Sequence, residues 1–549
     1  MGGNARLSRL DFSVPIRSRA ADEGNFQVPL WSVPLISVVL YVCLFGGLGA
    51  LGLVGPDEPR YAAIARAMAE MHDWITPRLW GTPWFEKPVL YYWAAGFAMR
   101  ILGAGEFAAR LPSALAALLA VLAVGWTALR SYGVGAAWFS VLMLPTSVAV
   151  IGFSRSAGPD MLFAGLLTAA MAVAYEMLQK PRPGSILRVA FGFFLGAAVL
   201  AKGPAAVILA GGATLLWAAL SRRWHAPFQF LHPLIIAVFC ATALPWYLIC
   251  ALRNPDFLRV FIWQHNFERY LTPVFEHRQP FWFFGPILLL GMLPWILFSL
   301  IAITDAIRGV KTGAYRDSPG LFFACWTVFP VLFFSASQSK LPGYVLPAFP
   351  PLFLLLGRAV SKSMLTNVKT TLRLLGWTGL FFFPLAIPVV VEMTGGTLAM
   401  FPPEYVLPAL VAFGFGVAAV VLAMTKRPTA AFVSVVLLIT TAVEIANFKV
   451  LPQLDSQISS RRLAREFLKA NPSGEDVATY DIPRAWHYGL NFYLNRDLPE
   501  WTPESPDSKD KQWVAGNIAA DPQFQLRYEV HLDEIAQANR FQVCMYRKK

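Results

Sequence analysis

The sequence predicts a polytopic α-helical membrane protein with a small α/β domain at its C-terminal end. Three observations carry this. Of 549 residues, 56% are hydrophobic and 14% charged, whereas soluble domains carry roughly 25% charged residues. Apolar runs recur between residues 30 and 450, and a membrane crossing needs about 20 such residues. From about Leu451 the composition turns polar and mixed.

In chain order, residues 1–29 form a polar arm with Arg6, Arg9, Arg17 and Arg19. The positive-inside rule places it in the cytoplasm. Residues 30–450 form the transmembrane region. Its candidate spans are Leu30–Val54, Phe107–Leu129, Ala136–Phe153, Met161–Leu178, Val189–Ala201, Ala205–Leu220, Leu234–Leu252, Phe281–Ile303, Leu321–Ser335, Tyr344–Leu356, Leu374–Met393, Val406–Met424 and Ala430–Ile445. Alternation through these thirteen places Arg130, Lys180, Arg182, Arg188, Arg222, Arg223, Arg308, Lys311, Arg358, Lys362, Lys426 and Arg427 in inside loops. All are basic, which supports the register. An odd number of spans puts the C-terminus outside. Val89–Leu102 is apolar but short. It reads as an interfacial or re-entrant helix within the first outside loop, residues 54–106.

The net charge of +13 does not indicate nucleic acid, because the basic residues fall in short clusters between apolar runs, as in membrane loops. The five cysteines show neither metal spacing nor a disulfide framework. The long polar start followed by a full-length apolar segment argues against a cleaved signal peptide. Residues 451–549 read as a soluble α/β domain with a helix at Ser456–Ala470, a strand at Val477–Tyr480 and a helix near Tyr488–Leu494. Thr502–Lys511 reads as a loop, and late strands are expected at Phe524–His531 and Phe541–Tyr546.

The chemistry concentrates in the outside loops. Asp57 and Glu58 follow the first span, with Arg60 and Tyr61 next. Pro59 suits a first helical turn. Tyr61, Ile64, Ala65, Met68 and Met71 then recur at helical spacing, one apolar stripe of an interfacial helix. A charged pair beside a bilayer is costly unless it is used. Asp57 has a second reading as a helix N-cap, and the two roles are compatible. Glu58 would point about 100° away from Asp57 on such a helix, so its loss should be the milder one. Glu86-Lys87-Pro88 closes the same loop. Arg155-Ser-Ala-Gly-Pro-Asp160 ends another span, and there Asp160 could instead only cap. His265, Glu268 and Arg269, at i, i+3 and i+4, share a helical face. Lys202 and Lys340, the latter in Ser-Lys-Leu-Pro-Gly-Tyr344, add two cations or snorkel at the interface. Glu86 with His265 could hold a divalent metal such as Zn or Mg, although two ligands do not make a site. The aromatic run Phe281-Trp-Phe-Phe284 suits an interfacial belt. Carboxylates orient or deprotonate a nucleophile, and Lys and Arg stabilise charge on a leaving phosphate. At a membrane face this set suggests a lipid phosphate.

Gly-Pro-Asp-Glu-Pro-Arg-Tyr-Ala, Trp-Phe-Glu-Lys-Pro, Arg-Ser-Ala-Gly-Pro-Asp, Ala-Lys-Gly-Pro and Ser-Lys-Leu-Pro-Gly-Tyr occur in this order. In these motifs the chain resembles the aminoarabinose (4-amino-4-deoxy-L-arabinose) transferases of Gram-negative bacteria, which are GT-C glycosyltransferases related to protein O-mannosyltransferases. The resemblance covers about residues 30–450. It implies an undecaprenyl phosphate-aminoarabinose donor and a lipid A phosphate acceptor at the periplasmic face of the inner membrane. It also implies weakened polymyxin binding once the cationic sugar is in place, inversion at the anomeric centre, and no required cofactor. A monomer is expected. On the same resemblance Asp57 and Asp160 are the expected catalytic residues. Glu58, Arg60, Tyr61, Glu86, Lys87, Arg155, Lys202, Arg269, Lys340 and Tyr344 would bind substrate. A phosphate monoester is largely ionised at pH 7, its second pKa being about 6. The acceptor therefore hardly needs a strong base, and Asp57 would position it or stabilise positive charge on the sugar. Lys87, Arg60, Arg155, Lys202 and Arg269 would share the two phosphates.

Two other functions fit part of the pattern. One is a polyprenyl-phosphate-sugar transferase with a protein or another glycan as acceptor. The other is a transporter of a lipid-linked sugar. Transporters tend to show paired repeats and mid-membrane broken helices, whereas here no repeat is visible and the ionisable residues cluster at one face.

Overall fold

The computed structural model describes residues 28–272, 278–393, 403–502, 511–516, 532–538 and 543–548. The expected cytoplasmic arm, most of the 502–511 loop and the strand expected at 524–531 lie outside the described residues. Twelve of the thirteen apolar segments lie largely on a helix or on a bent helix pair, and the first, Leu30–Val54, is helical only from Ser32 to Phe45. Among the described residues, six helices are long and apolar enough to cross a membrane, or eight if each of two bent pairs is one crossing. Four shorter apolar helices, Ser32–Phe45, Ala205–Ser221, Pro319–Ser335 and Val411–Met424, accompany them. The chain is thus a multi-pass helical membrane protein.

Two of the expected spans are not straight. Val134–Met143 and Val148–Ser154 meet at 59°, and Phe284–Gly291 and Trp295–Lys311 at 105°. The second break falls at Pro294, whose ring cannot continue a helical ladder. The 189–220 stretch is two helices, Ser185–Lys202 and Ala205–Ser221, separated by Gly203 and Pro204.

The chain divides into two compact units. The first comprises residues up to Ile36, Ala116–Val150 and Phe163–Leu374. Several of its loop cations are neutralised locally. Glu176 takes Arg130 at 2.9 Å and Lys180 at 3.1 Å, and Lys362 reaches Asp305 at 3.1 Å. The second comprises Ser37–Leu115, Ile151–Leu162 and Leu375–Lys549. It holds the helices Asp57–Met71 and Leu90–Leu102, linked through the short hairpin β1 (Arg78–Leu79) and β2 (Thr82–Pro83). The apolar stripe of the first of these helices is buried at Tyr61, Ile64, Ala65 and Met68, as its periodicity requires. Met71 is exposed.

The polar C-terminal part of the second unit is a mixed four-stranded sheet in the order β3-β4-β6-β5. Its strands are β3 (Val477–Tyr480), β4 (Trp513–Gly516), β5 (Leu532–Ala538) and β6 (Val543–Lys548). β3 and β4 are parallel, and the other pairs are antiparallel. Leu463 and Phe467 of the helix Arg461–Ala470 and Trp486 and Leu490 of Arg484–Leu494 pack on one sheet face with Trp513 and Met545. Full burial of an aromatic side chain such as Phe467 contributes about 1.5–3 kcal/mol. The single helix expected at 456–470 is two, Leu451–Ile458 and Arg461–Ala470. They break at Ser459-Ser460, where the Ser459 hydroxyl accepts the Arg461 N–H at 3.1 Å and offers the backbone an alternative to the helix.

Candidate active site

In the second unit, the helix Asp57–Met71 begins one residue earlier than an Asp57 cap requires. Pro56 is its N-cap, so Asp57 stands in the first turn. Negative charge is favoured there by the helix dipole, but the Asp57 carboxylate is directed to a side chain. It accepts from Arg60 Nη2, one turn on. The capping reading is therefore replaced by an ion pair. The Asp57 side chain is 56% exposed, and that of Arg60 only 9%.

Arg60 is the hub of this cluster. Its Nη1 lies 3.6 Å from Glu86 Oε2, and Glu86 Oε1 lies 3.1 Å from Lys87 Nζ. The guanidinium also lies against three aromatic rings, Trp84 and Tyr488 at 5.5 Å and Tyr61 at 5.9 Å. Burial opposes the charge on Arg60, but Glu86 and Asp57 outweigh it and hold its pKa above the ordinary value. Tyr61, Tyr91 and Tyr92 form a buried triad with centroids 6.0–6.2 Å apart. Burial, reinforced by nearby carboxylates, pushes all three phenols well above 10, so none is ionised near neutrality.

Glu58 faces away from this cluster and is 5% exposed. It forms a bidentate pair with Arg110, at 2.7 Å and 3.3 Å. It also accepts the backbone N–H of Val54 at 2.9 Å and of Ala157 at 2.7 Å. The expectation that Glu58 binds substrate and that its loss is the milder one is thus corrected. Its carboxylate is filled by protein donors and joins the Asp57 loop to the Arg155–Asp160 loop. Arg155 is likewise committed. Its two terminal nitrogens donate to the carbonyls of Val42, Cys43, Gly46 and Ile151. Burial lowers its pKa to about 10, which leaves it charged at neutral pH. Its expected share in phosphate binding is corrected to tying down the end of the first span. Asp160 lies in the first turn of the helix Pro159–Leu178.

In the first unit, Lys202 ends its helix with the ammonium 4.7 Å from the Tyr344 ring and 5.5 Å from Phe163. Two motifs distant in sequence are thereby brought together. Lys340 is buried and donates to the Ser337 carbonyl, and burial lowers its pKa. It does not snorkel. Arg269 opens a short turn whose Tyr270 carbonyl accepts the N–H of Gln338 at 3.0 Å, next to the Lys340 loop. His265 and Glu268 lie in a π-helix, Arg259–Glu268. Its i→i+5 bonding widens the turn, so the i, i+3, i+4 face expected for an α-helix does not apply.

The fit of a divalent metal fails on the donor set. Glu86 is already flanked by Arg60 and Lys87, and a divalent cation would have to share that space with two positive charges. Among the described residues, no three His, Cys, Asp or Glu side chains gather into a metal-binding group.

Sequence reasoning missed Arg110, Tyr488 and the residues of the C-terminal part that approach this cluster, and it read Trp84 only as part of the Trp-Phe-Glu-Lys-Pro motif. Arg110 had a signal. It is an arginine inside the expected span Phe107–Leu129, and a charge there demands a partner. Tyr488 had none, because its role depends on a helix more than 400 residues downstream folding against Arg60.

The family described as dolichyl-phosphate-mannose-protein mannosyltransferase matches residues 30–261. An undecaprenyl phosphate-alpha-4-amino-4-deoxy-L-arabinose arabinosyl transferase of Edwardsiella ictaluri is 35% identical over 317 residues, covering 57% of this chain and 56% of that protein. One from Aeromonas salmonicida is 30% identical over 359 residues, covering 64% and 63%. The chain thus matches about three-fifths of the length of these relatives. The crystal structure of ArnT from Cupriavidus metallidurans bound to undecaprenyl phosphate has a TM-score of 0.76 at 23% identity, covering 94% of this chain and 97% of that one. At that identity the likeness establishes the fold. In its motifs, its matched relatives and its fold, the chain resembles the undecaprenyl phosphate-aminoarabinose transferases of the GT-C class.

Proposed function

We propose that this protein transfers 4-amino-4-deoxy-L-arabinose from undecaprenyl phosphate to a phosphate of lipid A at the periplasmic face of the inner membrane. The modification would lower the negative charge of the outer surface and confer resistance to polymyxin and other cationic peptides. The observation that carries this reading is the Asp57–Arg60–Glu86–Lys87 cluster, an exposed carboxylate beside two cations at the start of the helix Asp57–Met71. The matched relatives, whose names specify this donor and sugar, support it.

The chemistry follows from charge. The acceptor phosphate attacks the anomeric carbon, and the bond from that carbon to the donor phosphate breaks with inversion. The undecaprenyl phosphate leaves with the bonding electron pair. Asp57 stabilises positive charge on the sugar or orients the acceptor. Lys87 takes up charge on the phosphates, while Arg60, held by Asp57, Glu86 and three rings, fixes the geometry. Asp160, in the same unit, completes the set in this reading. We further read thirteen crossings, residues 1–29 in the cytoplasm, residues 451–549 in the periplasm, and a monomer.

Mass spectrometry of lipid A from a strain lacking its own aminoarabinose transferase tests the function. Expression of this chain should add the mass of the aminopentose to lipid A, and its Asp57→Asn variant should not. Unmodified lipid A alongside a modified protein or another modified glycan would move the reading to a different acceptor.

A further inference from the structure

Between the first membrane helix and the Asp57 helix runs a segment, residues 48–54, that is neither helix nor strand. Such a segment cannot satisfy its own peptide groups, yet buried peptide groups must be paired. Here side chains do it. The carbonyls of Leu48, Leu51 and Gly52 accept from Arg110 at 2.8, 2.6 and 2.8 Å. Those of Gly49 and Ala50 accept from Arg461 at 2.8 and 2.9 Å. Two guanidinium forks thus take five successive carbonyls. The next three N–H groups go to three further side chains. Gly52 donates to Asp455 at 2.7 Å, Leu53 to the Tyr493 hydroxyl at 2.8 Å, and Val54 to Glu58 at 2.9 Å. Only a glycine fits at position 52, where an added Cβ would lie 2.1 Å from Ser459 Oγ.

The clamp has two halves. Arg110 and Glu58 come from the membrane region. Arg461, Asp455 and Tyr493 come from the C-terminal part, and they are wired together. Arg461 Nε donates to Asp455 at 2.8 Å, and Arg461 Nη1 and the Tyr493 hydroxyl both reach Glu106 Oε1, at 3.2 and 2.9 Å. Asp57 lies three residues beyond Val54, across Gly55 and Pro56. Whatever holds the 48–54 backbone therefore sets where the Asp57 carboxylate stands.

We propose that Arg461, Asp455 and Tyr493 are positioning residues. They make the C-terminal part a component of the active site by fixing the strap that carries Asp57, and they do not contact substrate. This rests on the function proposed above. Misplacing a reacting group by about 1 Å costs on the order of a hundredfold in rate.

The test uses the full-length protein in detergent. Arg461→Lys keeps the charge but loses the fork, and Tyr493→Phe keeps the ring but loses the hydroxyl. Turnover per folded molecule should fall roughly ten- to a hundredfold in both variants, and further in Arg461→Lys. KM for the undecaprenyl-phosphate-linked donor should stay within about twofold of the parent, because uniform binding is untouched. A second readout needs no catalysis. A nitroxide on Asp57→Cys should gain mobility when Arg461→Lys is added, while one on the exposed position of Ile186→Cys should not. If the parent chain transfers no aminoarabinose, the proposed function fails, and the nitroxide arm still decides the clamp. Unchanged mobility at position 57, unchanged turnover in folded variants, or a loss confined to KM would each overturn the positioning role.

Discussion

Asp57 and Glu58 are neighbours in sequence, each paired with an arginine, and they occupy opposite environments. Asp57 is half exposed and holds a single ion pair with Arg60, which lies among aromatic rings. Glu58 is buried and accepts four protein hydrogen bonds, from Arg110 twice and from two backbone N–H groups. The first pair keeps carboxylate surface free to meet a ligand. The second leaves none. One residue along a helix therefore separates a group available for chemistry from a group that holds the scaffold, because the two side chains leave the helix about 100° apart.

The comparison breaks most decisively at Glu58. Glu58→Gln would strand Arg110 in a buried site, and losing one partner of such a pair costs about 3–5 kcal/mol. The expected outcome is poor recovery of folded protein and a sharply lowered thermal midpoint, measured in detergent. A Glu58→Gln protein with parental stability would remove the distinction between the two carboxylates. Asp57→Asn should do the converse. It leaves the fold and the thermal midpoint intact and lowers transfer at least about a hundredfold, the lower range for a positioned acid–base or electrostatic group. Parental turnover by a folded Asp57→Asn protein would reduce Asp57 to a structural ion pair.

A finer contrast lies between two lysines. Lys87 stands beside Glu86 with part of its surface open, whereas Lys340 is buried on the Ser337 carbonyl. Lys87→Ala should cost roughly tenfold or more in turnover, the lower end for a hydrogen bond to a charged group. Lys340→Ala should act mainly on stability. Steady-state kinetics beside thermal unfolding of both variants separates them, and the reverse pattern would exchange their roles.

The smallest effect concerns His487, on the helix Arg484–Leu494 of the C-terminal part. Its Nδ1 lies 3.1 Å from Thr479 Oγ1 and its Nε2 3.2 Å from Asn491 Nδ2. The Asn491 amide is oriented by donating to Asp497 and accepting from the Leu498 N–H, so Nε2 faces a donor and the ring is neutral. Burial lowers the His487 pKa, against the pull of Asp497 and Glu500. The unfolded chain therefore takes up a proton near 6.5, and the folded chain only at lower pH. This contribution to stability is complete above that value and is lost as pH falls through the folded pKa. Amide protection factors at residues 477–480, with the intrinsic acid slowing of exchange divided out, should fall between pH 7 and 5, and less so in His487→Gln. An equal fall in both proteins would assign the loss to other groups.

Much of this molecule was legible from residue order. Twelve of thirteen apolar segments fall largely on a helix or bent pair, because a lipid environment forces apolar backbone into helices, and the first leaves its helix at Phe45. The Tyr61–Met68 stripe, the strand Val477–Tyr480 and the grouping of Asp57, Arg60, Glu86 and Lys87 also followed from local pattern and loop closure. Other features did not. The break at Ser459-Ser460 depends on a serine hydroxyl competing with the helix ladder. β4 is only four residues long and buried along its whole length, so it shows no alternation to read.

What the sequence by itself determined is the membrane class, the helices and the stretch where chemistry concentrates, since periodicity and charge act over a few residues. What only the tertiary structure decided is the division of labour among the charges. Glu58 and Arg155 are consumed by backbone and by Arg110, while Asp57 remains exposed. Arg461 reaches back 412 residues to the Gly49 carbonyl. A hydrogen bond depends on distance in space, and no local pattern encodes which of many arginines the folded chain will bring to a given carbonyl.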